Sequence, residues 1–213
     1  LRTGKEYRRK AGMYVARYSG ALTREQFMFR EMRIVARLTR QGLAQAEIME
    51  RVFDENLFQY PTEKEIRGKC RAALKRLNCI AHSPELVEML ADGALNEAKQ
   101  AALVAMMAQS RLTAEFMTEV VGEKYRLLDM TLTQKDVRLF FDRLREKDED
   151  AARWSPATVK RIQSVLMNVL RENGYLEKIG SETLCPVLIS AEFERMLIDA
   201  GFRRFLPAFN VLN

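Results

Sequence analysis

Two helix-length segments carry side chains that could hold phosphates or read base edges. In the first, Glu63 to Leu77, the residues Lys64, Gly68, Arg71 and Lys75 fall on one side at roughly 100° per residue, flanked by Arg67 and Arg76. Ile66, Cys70, Ala73, Leu74 and Leu77 fall on the other side. Such a helix can anchor in a core and present cations to a polyanion, because each neutralised phosphate releases condensed counterions. In the second, Pro156 to Asn173, Lys160, Ser164, Asn168 and Arg171 face one way, with Arg161 beside them. Val159, Ile162, Leu166, Val169 and Leu170 face the other. Hydroxyl and amide groups can read base edges, while Lys and Arg hold phosphates. Near the N-terminus, Arg8, Arg9 and Lys10 lie among Tyr7, Tyr14 and Tyr18, a mixture suited to phosphate contact and base stacking. All three patterns are also those of ordinary solvated surfaces.

Catalytic chemistry finds little support. There is no GxxxxGK[ST] loop and no GxGxxG turn to cradle a nucleotide. The one histidine, His82, precedes Ser83 and Pro84 at a helix start and reads as a surface or cap residue. Cys70, Cys79 and Cys185 form no CxxC pair, so a structural zinc site is not expected, and the thiols read as reduced side chains of a cytoplasmic protein. Glu115 with Glu119, and Asp142 with Glu146, share helix faces and are expected to face solvent. No cofactor or metal is expected.

The net charge is +6, and its distribution is uneven. Residues 1–40 hold 11 Lys+Arg against 3 Asp+Glu, while residues 81–120 hold 2 against 6. That asymmetry suits one side facing a polyanion and another facing away. Hydrophobic residues make up 47% and charged residues 30%, an ordinary globular mixture. No apolar run approaches the roughly 20 residues that span a bilayer, so no membrane partner is expected. The basic start has no apolar stretch after it and does not read as a secretory signal.

The elements that must position these faces are nearly all helical. The periodicity predicts helices over Thr23 to Arg40, Leu43 to Phe53, Glu63 to Leu77, Ser83 onward, Asn96 to Ser110 and Thr113 to Leu128. Others follow over the segment capped by Thr133, over Pro156 to Asn173, and over Ala191 to Ala200. Tyr175 to Ile179 and Thr183 to Ile189, joined at Gly180 and Ser181, predict a β-hairpin with Lys178 at its edge. A helix followed by a hairpin is the order of a winged helix. The expected fold is therefore mainly α, a helical bundle of two helix-turn-helix-like halves. Residues 1–82 form the first half with its basic arm. Residues 83–213 form the second, with a winged-helix-like element made of helices over 113–173 and the hairpin over 175–189.

Several local signatures resemble those of a known family. Gly42-Leu43, the run Asp54-Glu55-Asn56-Leu57-Phe58-Gln59 and the ending Arg76-Leu77 look like the N-terminal half of BrxA. Trp154-Ser155-Pro156-Ala157-Thr158 and Glu172-Asn173-Gly174-Tyr175-Leu176 look like its C-terminal half. BrxA is a small component of BREX bacteriophage-defence systems. The resemblance implies an all-helical protein similar in shape to the antitermination factor NusB, without enzymatic activity. It implies binding to double-stranded DNA beside other BREX proteins, with RNA binding or a scaffold role as alternatives. The family offers no catalytic motif to carry over, so the expected contact residues are those of the helix faces and arm above, with Lys178.

Overall fold

Capping chemistry decides where most of the helices begin. In the computed structural model, which describes residues 18–178 and 180–211, the Oγ atoms of Ser83, Ser110, Thr133, Ser155 and Ser190 each accept a backbone N–H from the first turn they precede. Thr62 does the same for Glu65 at 3.3 Å. Pro84 and Pro156 occupy first-turn positions, where no N–H is needed.

One compact unit is Phe27–Gln109, and the other combines residues 18–26 with 110–211. In the first unit, α1 (Phe29–Arg40), α2 (Gln45–Asp54) and α3 (Glu63–Ile80) are followed by α4 (Pro84–Asp92) and α5 (Leu95–Gln109). The helix expected from Thr23 starts later. Gly20–Thr23 is a 3₁₀ turn, and buried Met28 adopts a left-handed backbone (φ 54°) that no helix can pass through. α5 is buried on nearly every side from Ala98 to Gln109, as its unbroken apolar run requires. Both α4 and α5 pack against α3, and α4 also packs along α1. The division therefore falls after Gln109 and not after residue 82.

In the second unit, α6 (Arg111–Glu115), a π-helical turn (Phe116–Val121) and α7 (Gly122–Arg126) run on without a break. The sequence predicts this run as one regular helix. At its end Gly122 permits close approach, as expected: a Cβ there would lie 2.9 Å from Pro207 Cβ and 3.0 Å from its carbonyl. α8 (Gln134–Lys147), α9 (Glu149–Ala152), α10 (Pro156–Glu172) and α11 (Ala191–Asp199) follow, and a 3₁₀ segment (Arg203–Phe209) closes the unit. Thr133 and Asp136 form a full capping box at the start of α8.

The predicted hairpin is not formed. Among the described residues there is no strand, only the isolated antiparallel bridges Thr131↔Thr183 and Leu176↔Leu184. The returning segment divides its hydrogen bonds between two partners. Leu184 N–H donates to Met130 O at 2.9 Å, and Cys185 N–H donates to Tyr175 O at 2.8 Å. Pro186 then supplies no donor to extend either ladder. Tyr175 is buried with its hydroxyl on Ala208 O at 2.9 Å, so this segment serves as core packing. The winged-helix-like element is accordingly absent.

Candidate nucleic-acid interface

α3 builds the first face. Ile66, Cys70, Ala73, Leu74, Leu77 and Ile80 are buried, which turns Lys64, Gly68, Arg71 and Lys75 to solvent. The four lie within about 60° of one another around the helix, and Lys64 and Lys75 are about 16 Å apart along its axis. Among the described residues, Lys64, Arg71 and Lys75 enter no ion pair. Arg67 differs. Its Nε donates to Glu63 at 2.7 Å, its Nη1 lies 3.3 Å from Glu50, and its guanidinium sits 4.3 Å from the Phe53 ring centroid. The bonds that it donates to Glu63 and Glu50 push its pKa further up. Arg67 therefore braces α3 to α2. Arg76, expected to flank the basic side, is fully buried and donates from Nη1 to Phe27 O at 2.7 Å.

α10 carries the second face. Ile162, Leu166, Val169 and Leu170 are buried as expected, with Val165 in addition, whereas Val159 is half-buried. Lys160, Arg161, Ser164, Asn168 and Arg171 are exposed together. The Ser164 hydroxyl donates to Lys160 O at 2.9 Å, so its acceptor lone pairs face outward. Lys178 is exposed, but on an irregular segment and not on a wing. Arg8, Arg9 and Lys10 lie outside the described residues. Tyr18, at the end of that arm, is buried. Its hydroxyl donates to Glu115 at 2.5 Å, and the Arg111 guanidinium covers its ring at 4.3 Å, so it offers no stacking surface.

The contact with Tyr18 also corrects the reading of Glu115. Its side chain is 12% exposed and pairs with Arg111 at 2.6 Å. Periodicity could not reveal this, because the partner lies 97 residues away. A cavity of about 360 Å³ opens beside it, with Glu119, Lys124, Arg143 and Lys147 in its lining. Burial, and then the Glu115 charge, raise the Glu119 pKa. Lys124 is held by Asp129 at 2.6 Å and Asp136 at 3.2 Å. Among the described residues, no three His, Cys, Asp or Glu side chains group so as to hold a metal ion, and no helix is long and apolar enough to cross a membrane.

Comparison with known proteins adds a family to this geometry. The BrxA family model matches residues 16–201. The chain is 31% identical over 163 residues to the BREX protein BrxA of Bacillus cereus (strain H3081.97), covering 75% of this chain and 79% of that one. It is 26% identical over 162 residues to the BREX protein BrxA of Paramagnetospirillum magneticum (strain ATCC 700264 / AMB-1), covering 76% and 80%. The fold resembles the crystal structure of an uncharacterized protein from Magnetospirillum magneticum, with a TM-score of 0.76 at 23% identity, over 91% of this chain and 98% of that one.

Proposed function

The chain belongs to the BrxA family, and from that membership we propose that it serves a BREX phage-defence system as a non-enzymatic accessory protein that binds double-stranded DNA. The observation that carries this reading is the open face of α3. Three cations stand along about 16 Å of helix, exposed and in no ion pair among the described residues. Duplex DNA offers one charge per roughly 1.7 Å of axis, so phosphates are within reach of each. The α10 face adds Lys160, Arg161 and Arg171 for phosphates, and Ser164 and Asn168 for base edges. The arm residues Arg8, Arg9 and Lys10 and the exposed Lys178 are further candidate phosphate contacts, each taken by itself. Such a role is exercised in the cytoplasm, beside other BREX proteins.

The test is a fluorescence-anisotropy titration with duplexes of several sequences at two salt concentrations. The triple variant K64E/R71E/K75E is expected to weaken binding to every sequence. It should also flatten the slope of log K against log salt by about 3, at roughly 0.9 per phosphate contact. Unchanged affinity removes α3 from the surface. Failure of the wild-type protein to bind any duplex at low salt overturns the reading, and preference for structured RNA in competition redirects it.

A scaffold reading has its own observation. Leu127 and Leu128 are 59% and 83% exposed at the end of α7, and Leu128 holds a left-handed backbone that a bulky residue rarely adopts. Co-purification with another BREX protein that survives nuclease and is lost in L127D/L128D would favour it. Retention of that partner by L127D/L128D would remove this surface.

A further inference from the structure

Gly68 stands in the interior of α3, on the margin of its outward face nearest Glu65 and Ala72, and nothing inside the described protein makes use of it. The other described glycines differ. Gly42, Gly174, Gly180 and Gly201 hold left-handed backbones, Gly93 and Gly122 admit backbone or side-chain atoms within about 3 Å of where a Cβ would be, and Gly20 lies beside Thr158. Gly68 has ordinary helical backbone, and a Cβ built on it would meet nothing within 4 Å. Glycine is the weakest helix former after proline, so this position carries a cost to α3 that no internal contact returns. Its neighbours one turn away are Lys64 and Arg71 on one side and Glu65 and small Ala72 on the other, with Lys75 beyond. The result is a patch of bare backbone bordered on one side by Lys64, Arg71 and Lys75, which enter no ion pair among the described residues.

We infer that Gly68 is a seat for the sugar–phosphate backbone of a duplex, where the missing side chain lets a strand lie directly against α3 while Lys64 and Arg71 take the phosphates on either side of the contact. The inference rests on the DNA-binding reading above and deepens it. The ligand at this point is backbone and not base, because a glycine offers no side chain to read an edge. The contact is therefore independent of sequence. Its strength depends on how closely the strand approaches.

The experiment compares wild type, G68A and G68L by thermal denaturation and by duplex titration with several sequences. G68A is expected to raise the thermal midpoint by about 2–4 °C, through helix propensity. Duplex affinity is expected to fall several-fold in G68A and at least tenfold in G68L, equally for every sequence. Wild-type binding with G68L equally tight overturns the role of Gly68 and leaves DNA binding standing. If circular dichroism shows G68L unfolded, G68A decides: a folded G68A that binds as tightly as wild type overturns the inference. Absence of wild-type binding overturns both readings together.

Discussion

α1 and α3 look alike as sequences and differ in what their cations do. Each has an apolar side and a spread of Arg or Lys, and both belong to the same compact unit. In α1, Arg33, Arg37 and Arg40 are spent within the unit. Arg33 donates to Ala91 O at 3.0 Å and to Gly93 O at 2.9 Å, and Arg37 donates to Ala91 O at 2.9 Å. Arg40 pairs with Asp92 and with Glu88. These carbonyls lie at the C-terminal end of α4, where the last turn lacks donors and the helix dipole favours cations. The basic surplus of residues 1–40 is therefore partly structural. In α3, Lys64, Arg71 and Lys75 are exposed and enter no ion pair among the described residues. Sign and spacing alone do not make a binding face; what matters is whether the fold has already used the charge.

Exchanging the treatment of the two helices tests this contrast most strongly. R33A/R37A removes donors from the carbonyl of buried Ala91, so each lost charge-assisted bond costs roughly 1.5–3 kcal/mol before surface screening is discounted. A net loss of about 3 kcal/mol is expected, read as a lowered midpoint in urea, with the duplex affinity of the folded protein little changed. K64A/R71A/K75A is expected to do the reverse, with stability moved by no more than about 0.5 kcal/mol and affinity lowered at least tenfold. Equal loss of affinity in both variants would erase the distinction.

A pair of glycines sharpens the same contrast between occupied and open surface. Gly122 is pressed against Pro207, so Gly122→Ala must displace backbone atoms. Overpacking of that kind costs about 1–3 kcal/mol. Gly68→Ala meets nothing and gains up to about 1 kcal/mol in helix propensity. Thermal denaturation of the two variants should therefore move in opposite directions. A stabilising Gly122→Ala would mean that the 3₁₀ segment yields easily.

The features legible in the sequence were those set by local chemistry. Caps at Thr62, Ser83, Thr133 and Ser155 need only a side chain and the turn beside it, and the buried sides of α3 and α10 follow from periodicity. What was not legible depended on distant partners. Arg76 looks like a flanking surface cation until Phe27 O is known to be its acceptor. The segment after Tyr175 has strand composition, yet Met130 takes one of the hydrogen bonds that a hairpin would need. The π turn over Phe116–Val121 is not legible either, because a run of apolar residues there fits a regular helix as well. The face of α3 was readable, but the occupation of Arg67 was not, since Glu50 and Phe53 come from another helix.

Arg67 carries both kinds of behaviour to a single helix and gives the smallest expected effect. It stands one residue from Gly68, at about 100° from it around α3, with its guanidinium on Phe53 and two carboxylates. Ion pairs open to solvent contribute little, because water screens them, and a ring contact at such a site adds little more. Arg67→Ala should therefore lower stability only slightly, read from the urea midpoint. A phosphate would have to displace Glu63 and Glu50 before it could use this guanidinium. Duplex affinity should accordingly fall less in Arg67→Ala than in Arg71→Ala, and the salt slope should change in Arg71→Ala alone. An equal change of slope in the two variants would mean that DNA competes successfully with both carboxylates, and that pairing within the fold does not remove a cation from the binding face.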